Sequence, residues 1–220
     1  MVLNNYIELL TSPAKFFRKM ERVKTYFDPW LFFVIFSLFE VIISLPIALL
    51  SLVGSSGEDA IANALSITLS FVLIPIIPFM SAGIAHLGLL ILGHHDFYKT
   101  FKPLTYALTI SAPYSVAQTL LGGLAIMAGI SWIGMDEAAL SDAAGIIFAI
   151  PAILLGIAAT VHTVYTACVG ASYTHRISKL RAFLGMYVIP IAFVMLFVAI
   201  PLLILMMFLF GAAIMSMPLS

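Results

Sequence analysis

Five apolar runs, each long enough to cross a bilayer, leave this chain few ways to fold. They extend from Trp30 to Val53, Ile61 to Gly93, Leu104 to Ile130, Ala144 to Tyr173 and Phe183 to Met215. A helix needs about 20 mostly apolar residues to cross a hydrocarbon core of about 30 Å. Transmembrane strands would instead appear as segments of about 10 residues alternating apolar with polar. These runs are continuous and too long for that. Composition agrees: 63% of residues are apolar, 9% are charged and mean hydropathy is +1.16, against about 45–50% apolar and about 25% charged in soluble domains. The expected class is an all-α integral membrane protein, a bundle of five transmembrane helices with an N-terminal interfacial amphipathic helix. Residues 1–29 are expected to form that cytoplasmic helix and 30–220 the five-span domain.

The charges order the spans. All Lys and Arg fall in three places: Lys15, Arg18, Lys19, Arg22 and Lys24 before the first run, Lys99 and Lys102 between the second and third, and Arg176, Lys179 and Arg181 between the fourth and fifth. The alternate loops hold only acids, Glu58 and Asp59, then Asp136, Glu137 and Asp142. Because cytoplasmic loops carry the Lys/Arg excess, five spans with the N-terminus inside and the C-terminus outside keep every cation on one side. The first run is too long for the h-region of a cleaved signal peptide, about 7–15 residues, and is expected to be a retained anchor. An odd span count also argues against a transporter duplicated from two equal halves. Net charge is zero, so no basic excess exists for nucleic acid. The lone Cys168 excludes an internal disulfide.

Ser12 followed by Pro13 reads as a helix start. Phe16, Met20, Val23 and Phe27 then recur at helical spacing, opposite Lys15, Arg18, Lys19 and Arg22. Such a helix is expected to lie in the interface, apolar face in the acyl boundary and cations at anionic headgroups. Its plainest role is to orient the first span; a docking surface for a cytoplasmic partner is the other.

Few ionisable groups lie inside the runs. Glu40 sits about 15 Å into the first at 1.5 Å per residue; His86 lies in the second and His162 in the fourth. A lipid-facing charge at that depth costs at least about 2.5–3.5 kcal/mol, so Glu40 is expected to face the bundle. Ser111, Ser115, Gln118 and Gly122 form a polar stripe on the third run, and His162, Tyr165 and Thr166 share a face of the fourth. Two readings follow: cross-helix hydrogen bonding that fixes packing, or a proton or cation site made by Glu40, His86 and His162. Zinc coordination by those three lacks the H-E-x-x-H spacing. His94, His95 and Asp96 could hold a divalent ion at the surface, though a short polar turn is the commoner explanation. No nucleophile elbow, P-loop or dinucleotide fingerprint stands in a usable context, and no cofactor is implied. Pro46, Pro75, Pro78, Pro113, Pro151, Pro190 and Pro201 all fall within runs, where each removes a backbone donor and kinks its helix.

Three stretches resemble the Ypt-interacting protein family, the Yip domain. They are Ser12-Pro13 with Phe16-Phe17; His86-Leu87 through Gly93, then Phe97, Thr100, Tyr106-Ala107 and Pro113; and His175-Arg176-Ile177-Ser178 with Lys179 and Ala182. His94, His95 and Asp96 stand where the family often has a second glycine and small residues. The resemblance implies a five-span fold with a cytoplasmic N-terminus and supplies no catalytic residues. Eukaryotic members, with longer hydrophilic N-terminal regions, work in traffic between endoplasmic reticulum and Golgi and associate with Rab-type GTPases. About 29 residues before the first span is similar to bacterial and archaeal members, which implies a prokaryotic plasma membrane. The expected function is a non-enzymatic membrane scaffold or organiser. Its surface would be Phe16, Phe17, Arg18, Lys19, Arg22, Lys99, Lys102, Arg176 and Lys179, facing anionic lipid, a cytoplasmic or membrane protein, or a second copy. The alternative is a small transporter or ion pathway through Glu40, His86, His162 and Gln118.

Overall fold

The computed structural model describes residues 2–20, 25–54, 58–127 and 143–215, which are helical apart from short turns. The elements are α1 (Val2–Thr11), α2 (Pro13–Met20), α3 (Phe27–Gly54), α4 (Glu58–Leu73), α5 (Ile77–Ile91), α6 (Phe97–Leu108), α7 (Ser111–Met127) and α8 (Ala143–His175). A final rod follows: α9 (Lys179–Phe183), a π-helical turn (Leu184–Val188), α10 (Ile189–Val194), a second π-helical turn (Met195–Ala199) and α11 (Ile200–Met215). Three helices are long and apolar enough to cross a membrane, over Phe27–Ile47, Ile146–His175 and Lys179–Phe208. A fourth crossing is available if Ala64–Leu73 and Ile77–Ile91, bent by 64° at their junction, act as one.

Proline accounts for the breaks within the second and third runs and for the π-helical turns, while Pro46 and Pro151 sit inside the uninterrupted helices α3 and α8. Pro75 and Pro78 break the second run. Beyond the break, the Phe79 amide bonds Ile76 (3.0 Å), which leaves the Pro75 carbonyl to accept from Trp30 Nε1 of α3 (3.0 Å). The third run is not one helix: α6 stops at Leu108, and α7 restarts after a tight turn at Thr109 and Ile110. Pro113 has no N–H to offer the Thr109 carbonyl. That carbonyl accepts from the Ala112 amide (3.2 Å) and from the Tyr6 hydroxyl of α1 (2.9 Å). In the final rod each π-helical turn immediately precedes a proline-bearing helix, at Pro190 and Pro201. The ring there displaces the ordinary i→i−4 bond and the ladder slips to i→i−5.

Lipid supplies no hydrophobic drive between helices, so membrane bundles rely on close packing of small residues. The interior is built that way. Ala82, Ala85, Ala107, Ala167, Ala171 and Ala182 are buried with Leu89, Phe101, Leu104 and Met186 between α5, α6, α8 and the final rod. A Cβ on Gly88 would lie 1.9 Å from the Gly185 carbonyl oxygen, so α5 meets the first π-helical turn backbone to backbone. Large side chains such as Ile35, Ile42, Ile147, Leu154 and Ile191 point outward. That inversion suits an apolar solvent.

The N-terminal segment departs most from expectation. Where one helix was expected over residues 1–29, the chain forms two, α1 and α2, separated at Ser12. The apolar face of α2 packs against protein: Phe16 is 0% and Phe17 2% exposed, clustered with Tyr6, Leu9, Phe32, Tyr106, Ile110 and Val169. Phe16 meets Tyr106 edge to face at 5.0 Å. Phe17 lies on Gly170, where a Cβ would come within 2.6 Å of its ring. The reason is that Gly170 and Pro103 leave a hollow between α8 and α6, and an aromatic ring gains more contact there than at the interface. Val23, Arg22 and Lys24 lie outside the described residues.

Candidate functional site

The three basic segments, far apart in sequence, are bonded to one another at one end of the bundle. Lys102 Nζ donates to the Met20 carbonyl at the end of α2. Thr174 Oγ1 of α8 donates to the Lys99 carbonyl of α6 (2.7 Å). Tyr98 of α6 donates its hydroxyl to the Thr25 carbonyl just before α3 (3.1 Å). Burial first, then Asp28, pushes the Tyr98 phenol up to about 12, so it stays a donor at neutral pH.

Two helix ends at this surface share one backbone device. Past α5, the His94 amide bonds the Leu89 carbonyl (2.9 Å) across Gly93 at φ 85°. Past α8, the Ile177 amide bonds Ser172 (3.2 Å) across Arg176 at φ 56°. Both are 6→1 closures around a left-handed residue; only the second uses a side chain that disfavours it. Asp96 then starts α6, accepting from the Lys99 amide (3.4 Å) and pairing with its ammonium (3.3 Å). Ser178 starts α9, its hydroxyl accepting from the Arg181 amide (3.2 Å).

Of the expected surface residues, Arg18, Lys19, Lys99, Arg176 and Lys179 are exposed, as is Lys15. Phe16, Phe17 and Lys102 are not surface groups; all three are buried, Lys102 to 3% exposure, because they tie α2 to α6 and α8. Glu8 of α1 pairs with Lys19 (3.1 Å) and Lys15 (3.4 Å). The bond from Lys19 holds its carboxyl below the ordinary range; burial opposes it, and the bond from Lys15 adds to the lowering. Among the described residues Arg18, Arg176, Lys179 and Arg181 have no carboxylate within ion-pair distance.

The intramembrane groups do not form one site. Glu40 of α3 is half-buried and faces Ser115 of α7. On the adjacent residue, Tyr114 OH lies 3.0 Å from His162 Nδ1, and His162 Nε2 lies 3.1 Å from the Leu10 carbonyl. A carbonyl only accepts, so Nε2 donates to Leu10, and in the neutral ring Nδ1 then accepts from Tyr114. His162 thereby satisfies an orphan carbonyl at the end of α1. Gln118 Nε2 donates to the Ala152 carbonyl of α8 (2.8 Å). Ser111 turns back on its own chain, to the Leu108 carbonyl (2.8 Å), and Tyr165 is exposed.

His86 belongs to a separate chain, where Thr100 Oγ1 sits 2.9 Å from His86 Nδ1 and 3.1 Å from His175 Nε2. One hydroxyl has one proton, so at least one of those ring nitrogens must be the donor. His94 stacks edge to face on His175 at 5.3 Å. No group of three or more His, Cys, Asp or Glu among the described residues could hold a metal ion. Sequence reading missed Thr100, Tyr114 and Tyr6 as partners, and met His175 only in the family-like loop. A hydroxyl inside an apolar run was the available signal for Tyr114; Tyr6 and Thr100 lie outside the runs and carried none.

Apolar helices of spanning length around a small-residue core, with polar groups spent on helix-to-helix bonds, define a helical membrane protein. The Yip1 domain family model matches residues 7–200, and the chain belongs to that family. No curated protein and no solved structure matches it.

Proposed function

We propose that this Yip1-domain protein crosses the plasma membrane of a prokaryote five times, N-terminus inside and C-terminus outside. It acts there without catalysis as a membrane scaffold or organiser. The α6–α7 pair serves as the third crossing, its break covered by α1. The observation carrying the functional reading is the bonded convergence of α2, the start of α6 and the α8–α9 turn, with cations left over for an outside partner. Such a surface attracts anionic headgroups or an acidic protein face at about 1 kcal/mol per Lys or Arg. The transport reading has less support, since Glu40 and His162 are committed to helix contacts and His86 sits apart from them.

The test is quantitative co-purification from native membranes, comparing wild type with a Lys15→Gln, Arg18→Gln, Lys19→Gln variant. The proteins retained with the wild type are expected to fall severalfold. An unchanged set, with the variant folded and inserted, would overturn the scaffold role.

A further inference from the structure

Two hollows lie side by side on the final rod. One is a cavity of about 480 Å³ between α5, α6, α8 and the rod, whose walls include Ile84, Leu108, Met186 and Ile191. The other is a groove of about 510 Å³ along α8 and α9, formed by Val161, Leu180, Phe183 and Cys168. Thr160 and Val164 line both, so the two are neighbours across one helix face. Each falls within the range of about 300–1,000 Å³ typical of small-ligand sites.

The groove has one polar end. Lys179 lines it, with its ammonium 5.4 Å from the centre of the Tyr165 ring. Tyr165 is exposed, and no carboxylate among the described residues pairs with Lys179. The apolar spans Ile146–His175 and Lys179–Phe208 flank this turn. Lys179 therefore lies at a membrane surface whichever way the protein is inserted, and the groove descends from it toward acyl-chain depth.

We propose that this groove binds one anionic diacyl phospholipid. Its phosphate sits at Lys179, with Tyr165 holding the ammonium in place by a cation–π contact. One acyl chain lies over Leu180 and Phe183 and passes Val164 and Thr160 toward the cavity. A bulk lipid tail is as apolar as the groove, so the tail supplies fit and the headgroup charge supplies selection. The proposal rests on the reading of the basic end as a membrane surface and adds a ligand class to it.

The full chain is reconstituted in vesicles of phosphatidylcholine carrying spin-labelled phosphatidylglycerol or spin-labelled phosphatidylcholine, and the protein-bound fraction of each label is measured. Wild type is expected to prefer the anionic label. Lys179→Gln is expected to lose about fivefold of that preference, the equivalent of one cation at the surface, and Lys179→Arg to restore most of it. Val164→Trp, which narrows the passage between the hollows, is expected to lower binding of both labels. The Lys15→Gln, Arg18→Gln, Lys19→Gln variant is expected to lower the preference by its own share of surface charge while leaving the further loss on adding Lys179→Gln as large as in wild type, so failure of the scaffold reading and failure of the lipid site are separable; no further loss on adding Lys179→Gln would overturn the lipid site. Equal binding of the two labels by wild type would overturn the proposal, as would a Lys179→Gln preference equal to wild type. So would a disulfide-linked dimer through Leu180→Cys, which would give the groove to a second copy.

Discussion

Gly88 shows how little slack this bundle has. Its missing side chain lets α5 touch the carbonyl of Gly185, and a methyl group there would sit at 1.9 Å from that oxygen and 2.8 Å from Pro190 Cδ. Neither neighbour is a flexible side-chain end, so Gly88→Ala must push the final rod away. A loss of about 1–3 kcal/mol is expected, read as a lowered melting temperature in detergent. Gly83→Ala and Gly122→Ala, with nothing within 4 Å of the added carbon, are expected to melt like wild type. The His162 network is a second test at this scale. His162→Phe strands the Leu10 carbonyl and the Tyr114 hydroxyl, and each unmade buried bond costs about 1–3 kcal/mol. Faster amide exchange in α1 would register it; unchanged exchange would mean that His162 does not hold α1.

Glu8 belongs to the junction of two elements. Because Lys19 and then Lys15 depress its folded-state pKa, its contribution is present above the ordinary carboxylate range and is lost as pH falls through that depressed value. The lysine ends are exposed to solvent, so both pairs are screened by salt. Protection of α1 and α2 from amide exchange is therefore expected to weaken on acidification and at high salt, and Glu8→Gln to remove both responses. Arg176 offers a cleaner separation of backbone from charge. Its left-handed φ costs a side chain roughly 1–2 kcal/mol, so Arg176→Gly is expected to keep or slightly raise stability while weakening attraction to anionic surfaces. The spans on α3 and α8 were legible from hydropathy alone, because continuous apolar length is a local property. The break between α6 and α7 was not. Pro113 announced a kink, but its depth depends on Tyr6, more than 100 residues away, taking the freed carbonyl. Phe16 and Phe17 misled for a related reason: an amphipathic pattern states that one face seeks an apolar medium, and cannot say whether that medium is lipid or the hollow at Gly170.

Across the whole molecule, charge placement carries the functional account. The proposed topology puts the cations of three distant segments on one side, and the bonds from Lys102 to Met20 and from Thr174 to Lys99 join those segments at one end of the bundle. The polar groups within the bundle were legible as residues, but their pairing was not: Glu40 and His162 meet α7 at Ser115 and Tyr114, while His86 turns to Thr100 and His175. Periodicity puts such groups on a helix face without stating which neighbour that face meets. The most direct test of the account is side-specific labelling of Lys15→Cys, Lys99→Cys and Lys179→Cys, one from each basic segment, with a membrane-impermeant maleimide. The only native thiol, Cys168, is buried and adds little background. All three variants are expected to stay unlabelled on intact cells and to react once the membrane is opened. Labelling of any one of them on intact cells would break the single cytoplasmic surface on which the proposed function stands.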